Sequence, residues 1–155
     1  MREVLPLVCR QIPAAEFCIA GANADMMDRQ SFESIGNIKV TGYVPDVREC
    51  YREADIFVAP IRTGNGMRVK LLEAFSMGMA VVASPLAISG FIGKPEEHFL
   101  LADSPERFAA HTLRLLENPA LRDRLGSNAR KMIRQHYDWK VLAPQFLELV
   151  ENRHA

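Results

Sequence analysis

Arg68, Lys70 and Glu73, set just behind the run Gly64-Asn65-Gly66-Met67, are the residues of this chain whose types and spacing could do chemistry. Glycines at 64 and 66 allow backbone angles and close approaches that a Cβ resists. A helix opening at such a loop presents unpaired N–H groups and a partial positive charge, so an anion is its natural guest. At about 100° per residue on a helical wheel, Lys70 and Glu73 each fall within about 40° of Gly66. At about 1.5 Å of rise per residue, Glu73 lies roughly 10 Å along the axis from Gly66, the span from a diphosphate to the hydroxyls of its ribose. A carboxylate there can accept hydrogen bonds from a sugar diol, as the acidic residue does in dinucleotide folds. Lys70 and Glu73 also suit a plain surface pair at three-residue spacing, worth a few tenths of a kcal/mol. The segment alone leaves both readings open.

These residues need a scaffold, and the flanking pattern supplies one. Ile56 to Ala59 is a short apolar run closed by Pro60, which reads as a strand buried on both faces of a parallel sheet. From Met67 the residues are good helix formers as far as Gly78, a stop signal. The whole chain alternates in the same way, with helices expected at 2–11, 46–53 and 67–77 and a short one near Met26 to Ser34. Strands are expected at 16–20, 38–42, 55–59, 80–84 and 98–102, and closing helices at 104–117, 119–135 and 139–152. Such βαβ alternation predicts an α/β fold, a Rossmann-like open parallel sheet flanked by helices, with ligands beyond the strand C-terminal ends. The connection from Pro85 to Glu97, holding Gly90, Gly93 and Pro95, follows a strand and should rim the same crevice as Gly66, or else be a solvated link. Trp139, Phe146, Leu147 and Val150 follow helical spacing and read as a core-packing stripe.

The succession of strand, glycine loop, basic residues, Leu71-Leu72-Glu73-Ala74, Gly78 and Ala80-Val81-Val82-Ala83-Ser84 resembles the nucleotide-sugar-binding signature of the retaining glycosyltransferases of family four. The match extends upstream through Asn37-Ile38-Lys39-Val40-Thr41-Gly42-Tyr43-Val44-Pro45-Asp46, Tyr51 and Ala54-Asp55. Downstream it runs through Asp103-Ser104-Pro105, Leu116-Glu117-Asn118-Pro119, Leu125-Gly126 and Tyr137-Asp138-Trp139, so it covers nearly the whole chain. The commoner family pattern has a Glu where this chain has Asn65 and a second glycine where it has Arg68; a subgroup reading Gly-x-Gly-x-Arg-x-Lys-x-x-Glu fits better.

The resemblance implies one half of a GT-B architecture, with residues 1–155 forming the nucleotide-sugar-binding C-terminal domain without its first strand and without the acceptor-binding N-terminal domain. It implies that backbone N–H groups of Gly66, Met67 and Arg68 face the diphosphate, that Glu73 binds the ribose, and that the backbone near Val44 lies against the base. Asn65 would offer a neutral hydrogen bond to the donor sugar, and Arg68 and Lys70 would offset the charge of the departing diphosphate. The implied activity is transfer of a sugar from a nucleoside diphosphate sugar to a glycan or lipid-linked acceptor, needing the other domain and no metal or other cofactor. The implied setting is the cytoplasm, with the full-length enzyme at the inner membrane surface. If the closing helix crosses to an absent domain, its apolar face is left to drive self-association.

Composition agrees with one domain of ordinary kind, 155 residues with 48% hydrophobic and 25% charged content. A formal net charge of zero speaks against nucleic acid as a partner. The basic run Arg122, Arg124, Arg130, Lys131 and Arg134 reads as a solvated helix face. No apolar run reaches bilayer-spanning length. Cys9, Cys18 and Cys50 lack a metal or redox spacing and read as reduced, mostly buried thiols, and the four histidines are scattered. A nicotinamide fingerprint fails at Val69, where a third glycine belongs, and a P-loop fails at Pro95 after Gly93-Lys94. Two alternatives stay open: a non-catalytic nucleotide-sugar-binding or interaction domain, and a nucleotide-sugar epimerase of the same fold.

Overall fold

In a computed structural model, residues 2–22 and 37–151 are described, so the helix expected near Met26 to Ser34 lies outside them. The chain runs α1 (Val4–Cys9), β1 (Phe17–Ala20), β2 (Ile38–Gly42), α2 (Val47–Glu53), β3 (Ile56–Ala59), α3 (Val69–Ser76) and β4 (Ala80–Ala83). It continues through α4 (Pro85–Ile88), β5 (Leu100–Leu101), α5 (Pro105–Glu117), α6 (Pro119–His136) and α7 (Trp139–Glu151). Helix starts follow cap chemistry. Ser104 and Asn118 accept hydrogen bonds from the N–H groups of Arg107 and Leu121, and each precedes a proline in the first helical turn.

Every strand pairing is parallel, but the strands form two sheets where one open sheet was expected. β1 pairs with β2, while β3, β4 and β5 form a second sheet with Ile56 opposite Ala80 and Ala59 opposite Ala83. Between the sheets lies a cleft of about 910 Å³ whose lining includes the consecutive residues Phe17 to Ala20 and Ile56 to Val58. Side chains alternate across a strand, so consecutive residues share a cleft only where the strand's hydrogen-bonding edge faces it. The open edges of β1 and β3 are what divide the sheet.

β4 is the centre of the molecule, with all four residues buried. Its alternation splits the core in two. Val81 and Ala83 join Tyr51, Leu71, Phe75, Phe99, Met132 and Ile133 on the face covered by α2, α3 and α6. Ala80 and Val82 join Val4, Val8, Leu100, Phe108, Leu113 and Leu125 on the face covered by α1 and α5. α3 ends at Gly78, φ +77°, where the Gly78 N–H donates to the Phe75 carbonyl and the Met79 N–H to that of Ala74, each at 3.0 Å. This pair of bonds is a Schellman motif, and it turns the chain directly into β4. Gly126 of α6 packs so close that a Cβ there would overlap the Gly78 carbonyl oxygen.

Four expectations are corrected. The connection after β4 starts as helix α4, because Ser84 accepts a hydrogen bond from the Ala87 N–H and Pro85 follows it at the first helical position. Its middle is anchored: Phe91 meets Phe75 edge-on and Tyr137 at a tilt, and the Tyr137 hydroxyl accepts from the Ile92 N–H at 2.9 Å and donates to the Gly90 carbonyl at 3.2 Å. β5 is shorter than 98–102, since the His98 N–H is engaged by the Lys94 carbonyl in a turn. The α7 stripe is not core, with Trp139 78% and Phe146 64% exposed. The thiols are free as expected but not mostly buried: Cys18 is exposed, while Cys9 and Cys50 are half-buried.

Gly126→Ala is expected to lower stability by about 1–3 kcal/mol in chemical denaturation, because the added methyl meets backbone that cannot swing aside. Unchanged stability would mean that α6 does not approach the Gly78 turn this closely.

Candidate functional site

The site is assembled at the C-terminal ends of the strands. Ser84, one residue past β4, donates its hydroxyl to the Ile61 carbonyl at 2.6 Å and its N–H to the Ala59 carbonyl at 3.1 Å. These bonds hold the ends of β3 and β4 together and set where the next loop departs. Gly64 at φ +110° and Gly66 at φ +82° give that loop its path, in the left-handed region that residues with a Cβ resist.

Arg68 closes the loop on itself. Its guanidinium donates to the Asn65 carbonyl at 3.1 Å and lies so near Gly64 that a Cβ there would sit 3.2 Å from both Nη atoms. Its Nε is buried with no hydrogen-bond partner among the described residues. A buried donor without an acceptor costs free energy, and an acceptor brought by a ligand would recover it. α3 begins at Val69, two residues later than the expected 67, so Gly66, Met67 and Arg68 belong to the loop. The helix has no side-chain cap, and the Arg68 carbonyl takes the N–H groups of Leu71 and Leu72 at 2.9 and 3.1 Å. The first-turn N–H groups ahead of these have no acceptor within the helix.

Lys70 and Glu73 point to different partners. The Lys70 ammonium reaches the C-terminal end of β1, where a Cβ on Gly21 would lie 3.7 Å from it. Glu73 is half-buried, and its Oε2 accepts a 3.0 Å hydrogen bond from the Tyr51 hydroxyl. The Lys70–Glu73 surface pair is not formed among the described residues. Burial, and next the Glu73 carboxylate, push the Tyr51 phenol well above its ordinary pKa, so it remains a donor. Tyr51 escaped the sequence reading as a site residue because it lies on α2, far from Glu73 in the chain, and no spacing rule joins them.

Val44 follows β2 in a half-buried position beside Tyr43, which is 75% exposed. It therefore stands at the end of the other sheet, and no hydrogen bond ties it to the glycine loop among the described residues. Asn65 and Met67 are exposed on the loop. Asp46 caps α2, accepting from the Arg48 N–H at 2.9 Å and pairing with its guanidinium at 2.8 Å. Among the described residues no cluster of His, Cys, Asp or Glu could hold a metal ion, and no helix is long and apolar enough to cross a membrane. Arg122 departs from the solvated basic face: it donates to the Leu115 and Leu116 carbonyls and pairs with Asp55 at 3.4 Å. Arg124, Arg130, Lys131 and Arg134 are exposed. The arrangement can bind an anion at the loop and α3 start, and a hydroxyl pair at Glu73.

A family model described as Glycosyl transferases group 1 matches residues 1–118. Phosphatidyl-myo-inositol mannosyltransferase of Mycobacterium tuberculosis is 30% identical over 158 residues, covering 96% of this chain and 42% of that protein. The chain thus spans less than half the length of that relative. Among solved structures, Anabaena HepE in complex with UDP superposes with a TM-score of 0.85 at 15% identity, over 98% of this chain and 45% of that one. The C-terminal domain of a glycosyl transferase group 1 family protein (LpcC) from Francisella tularensis superposes at 0.75 with 21% identity, over 88% of this chain and 77% of that one. These two likenesses are of fold.

The Arg48 guanidinium and backbone N–H beside Asp46 hold its carboxyl at about 2. A depressed carboxyl favours the folded state fully above its ordinary value near 3.9, and that contribution is lost as pH falls through the folded value. A carbon-detected NMR titration of Asp46 is expected to show a midpoint near 2. A midpoint at the ordinary value would mean the cap and ion pair are absent in solution.

Proposed function

This chain belongs to the glycosyl transferases group 1 family, and from that membership we propose that it is the C-terminal, donor-binding half of a retaining family-four enzyme of GT-B architecture. The full-length protein moves a sugar from a nucleoside diphosphate sugar to a hydroxyl of a glycan or lipid-linked acceptor, which the N-terminal half binds. The observation that carries this reading is the pairing of anion donors with a diol acceptor: Arg68 folded over the glycine loop, the uncapped start of α3, and the Glu73 carboxylate on that helix. The UDP bound to the Anabaena neighbour is a ligand of the corresponding chemistry.

In this reading the loop N–H groups, the α3 start, Arg68 and Lys70 stabilise the charge that develops on the departing diphosphate. Those donors are in place before the reaction, so little reorganisation is needed as the bond breaks. Asn65 hydrogen-bonds the donor sugar without a charge, and the backbone at Val44 lies against the base. No metal is needed, because the cations on the chain neutralise the phosphates. The enzyme works in the cytoplasm, at the inner membrane surface where its acceptor is lipid-linked.

The cleft between the sheets supports the domain assignment. Both facing edges are unpaired among the described residues, and α1 lines the gap with Val4, Leu5 and Val8. A strand ahead of α1 with a right-handed crossover would fit between β1 and β3 and join the two sheets into one. The exposed Trp139, Phe146, Leu147 and Val150 face on α7 is a contact for the N-terminal half, and in its absence promotes self-association.

Calorimetric titration of this chain with UDP, GDP, ADP and NAD should reveal selective binding of one nucleoside diphosphate, and Glu73→Ala should weaken it about tenfold or more. Unchanged affinity in Glu73→Ala would remove that residue from the site, and silence towards all four nucleotides would sink the donor-site reading. A polypeptide extended upstream of α1 should melt at a higher temperature than this chain. An unchanged melting temperature would argue against a strand filling the cleft.

A further inference from the structure

Tyr51 and Glu73 meet across two helices. Tyr51 is 8% exposed, its ring is 5.8 Å from that of Phe57, and it belongs to the core that includes Ala59, Leu71 and Phe75. A ring so enclosed is a fixed point. Its hydroxyl carries one proton and faces two acceptors, Glu73 Oε2 at 3.0 Å and the Lys70 carbonyl at 3.3 Å. The bond to the carboxylate is shorter and charge-assisted, so it holds the proton.

Glu73 gains a defined orientation from this bond. A glutamate on a helix surface samples several rotamers, and ordering it on binding takes free energy from the complex. Fixing Oε2 on a core tyrosine removes part of that cost in advance. Oε1 has no partner among the described residues and remains the acceptor.

We propose that Tyr51 is the positioning residue of the donor site: its hydroxyl locks one oxygen of Glu73 so that the other is presented to the ribose diol of a nucleoside diphosphate. The inference rests on Glu73 being the diol ligand, and the test separates the two. The full chain, its Tyr51→Phe and Glu73→Ala variants and the double variant are titrated with UDP and 2′,3′-dideoxy-UDP, and likewise with GDP and its dideoxy counterpart. Tyr51→Phe keeps the ring in the core, and circular dichroism checks that the fold is unchanged.

The expected result is a preference of the unmodified chain for the ribonucleotide, cut about fivefold or more by Tyr51→Phe while affinity for the dideoxy nucleotide holds. In the Glu73→Ala background Tyr51→Phe should have no further effect on that preference. An equal loss for both nucleotides would mark Tyr51 as merely structural and overturn the proposal. A preference abolished by Glu73→Ala but untouched by Tyr51→Phe would overturn it while leaving the Glu73 reading intact. No ribose preference in the unmodified chain would overturn the Glu73 reading, and this inference with it.

Discussion

The parallel pairing of β3 with β4 is the constraint on which the rest of the structure depends. β4 is buried on both faces, so each of its four side chains must find apolar neighbours and each backbone group a ladder partner. Val81 and Ala83 select one layer of helices, and Ala80 and Val82 the other. With the register set as Ile56 to Ala80 through Ala59 to Ala83, the two strands end side by side. Ser84 can then bond the chain leaving β3, and the glycine loop departs from a fixed place. Burying a Val or Phe side chain contributes about 1.5–3 kcal/mol, so the stability of this layer far outweighs what any loop interaction supplies.

Anion binding at such a site is a local matter. A chain of zero net charge cannot draw phosphate by its overall field, so the donors must be held in place by the fold. The Schellman turn at Gly78 ties the far end of α3 to β4, and the close packing of Gly126 presses α6 onto that turn. α3 is thereby held at one end by backbone bonds and along its length by Leu71, Ala74 and Phe75. Its other end is left uncapped, with donors directed to the crevice. Rigidity at the buried end permits unmet hydrogen bonding at the loop end.

Burial is uneven across the molecule. β4 is fully enclosed, whereas β1 and β2 are half-buried and the facing edges of β1 and β3 carry no partner among the described residues. The apolar face of α7 is likewise uncovered. Unpaired edges and exposed apolar stripes are places where another segment or chain adds stability. Neither gap reaches β4, whose four residues are buried on both faces.

Local signals carried much of the fold and part of the site. Asp46, Ser104 and Asn118 announce helix starts, Gly78 a helix stop and Ile56 to Ala59 a buried strand, because each acts through its own backbone or nearest turn. The glycine loop was legible for the same reason. The stripe on α7 was misread because periodicity states that a face is apolar and not what covers it. The two-sheet division and the Lys70–Glu73 separation depended on partners distant in the chain, whereas the helix at Pro85 to Ile88 follows from a local cap at Ser84 that the sequence reading passed over. Glu73 bonds Tyr51 across α2 and α3, and no spacing within either helix contains that fact. The sequence by itself determined the order of elements, the loop chemistry and the residue types offered to a ligand, since these follow from short-range backbone preference. Only the tertiary structure decided which side chains meet, because side-chain pairing across elements is set by packing and register.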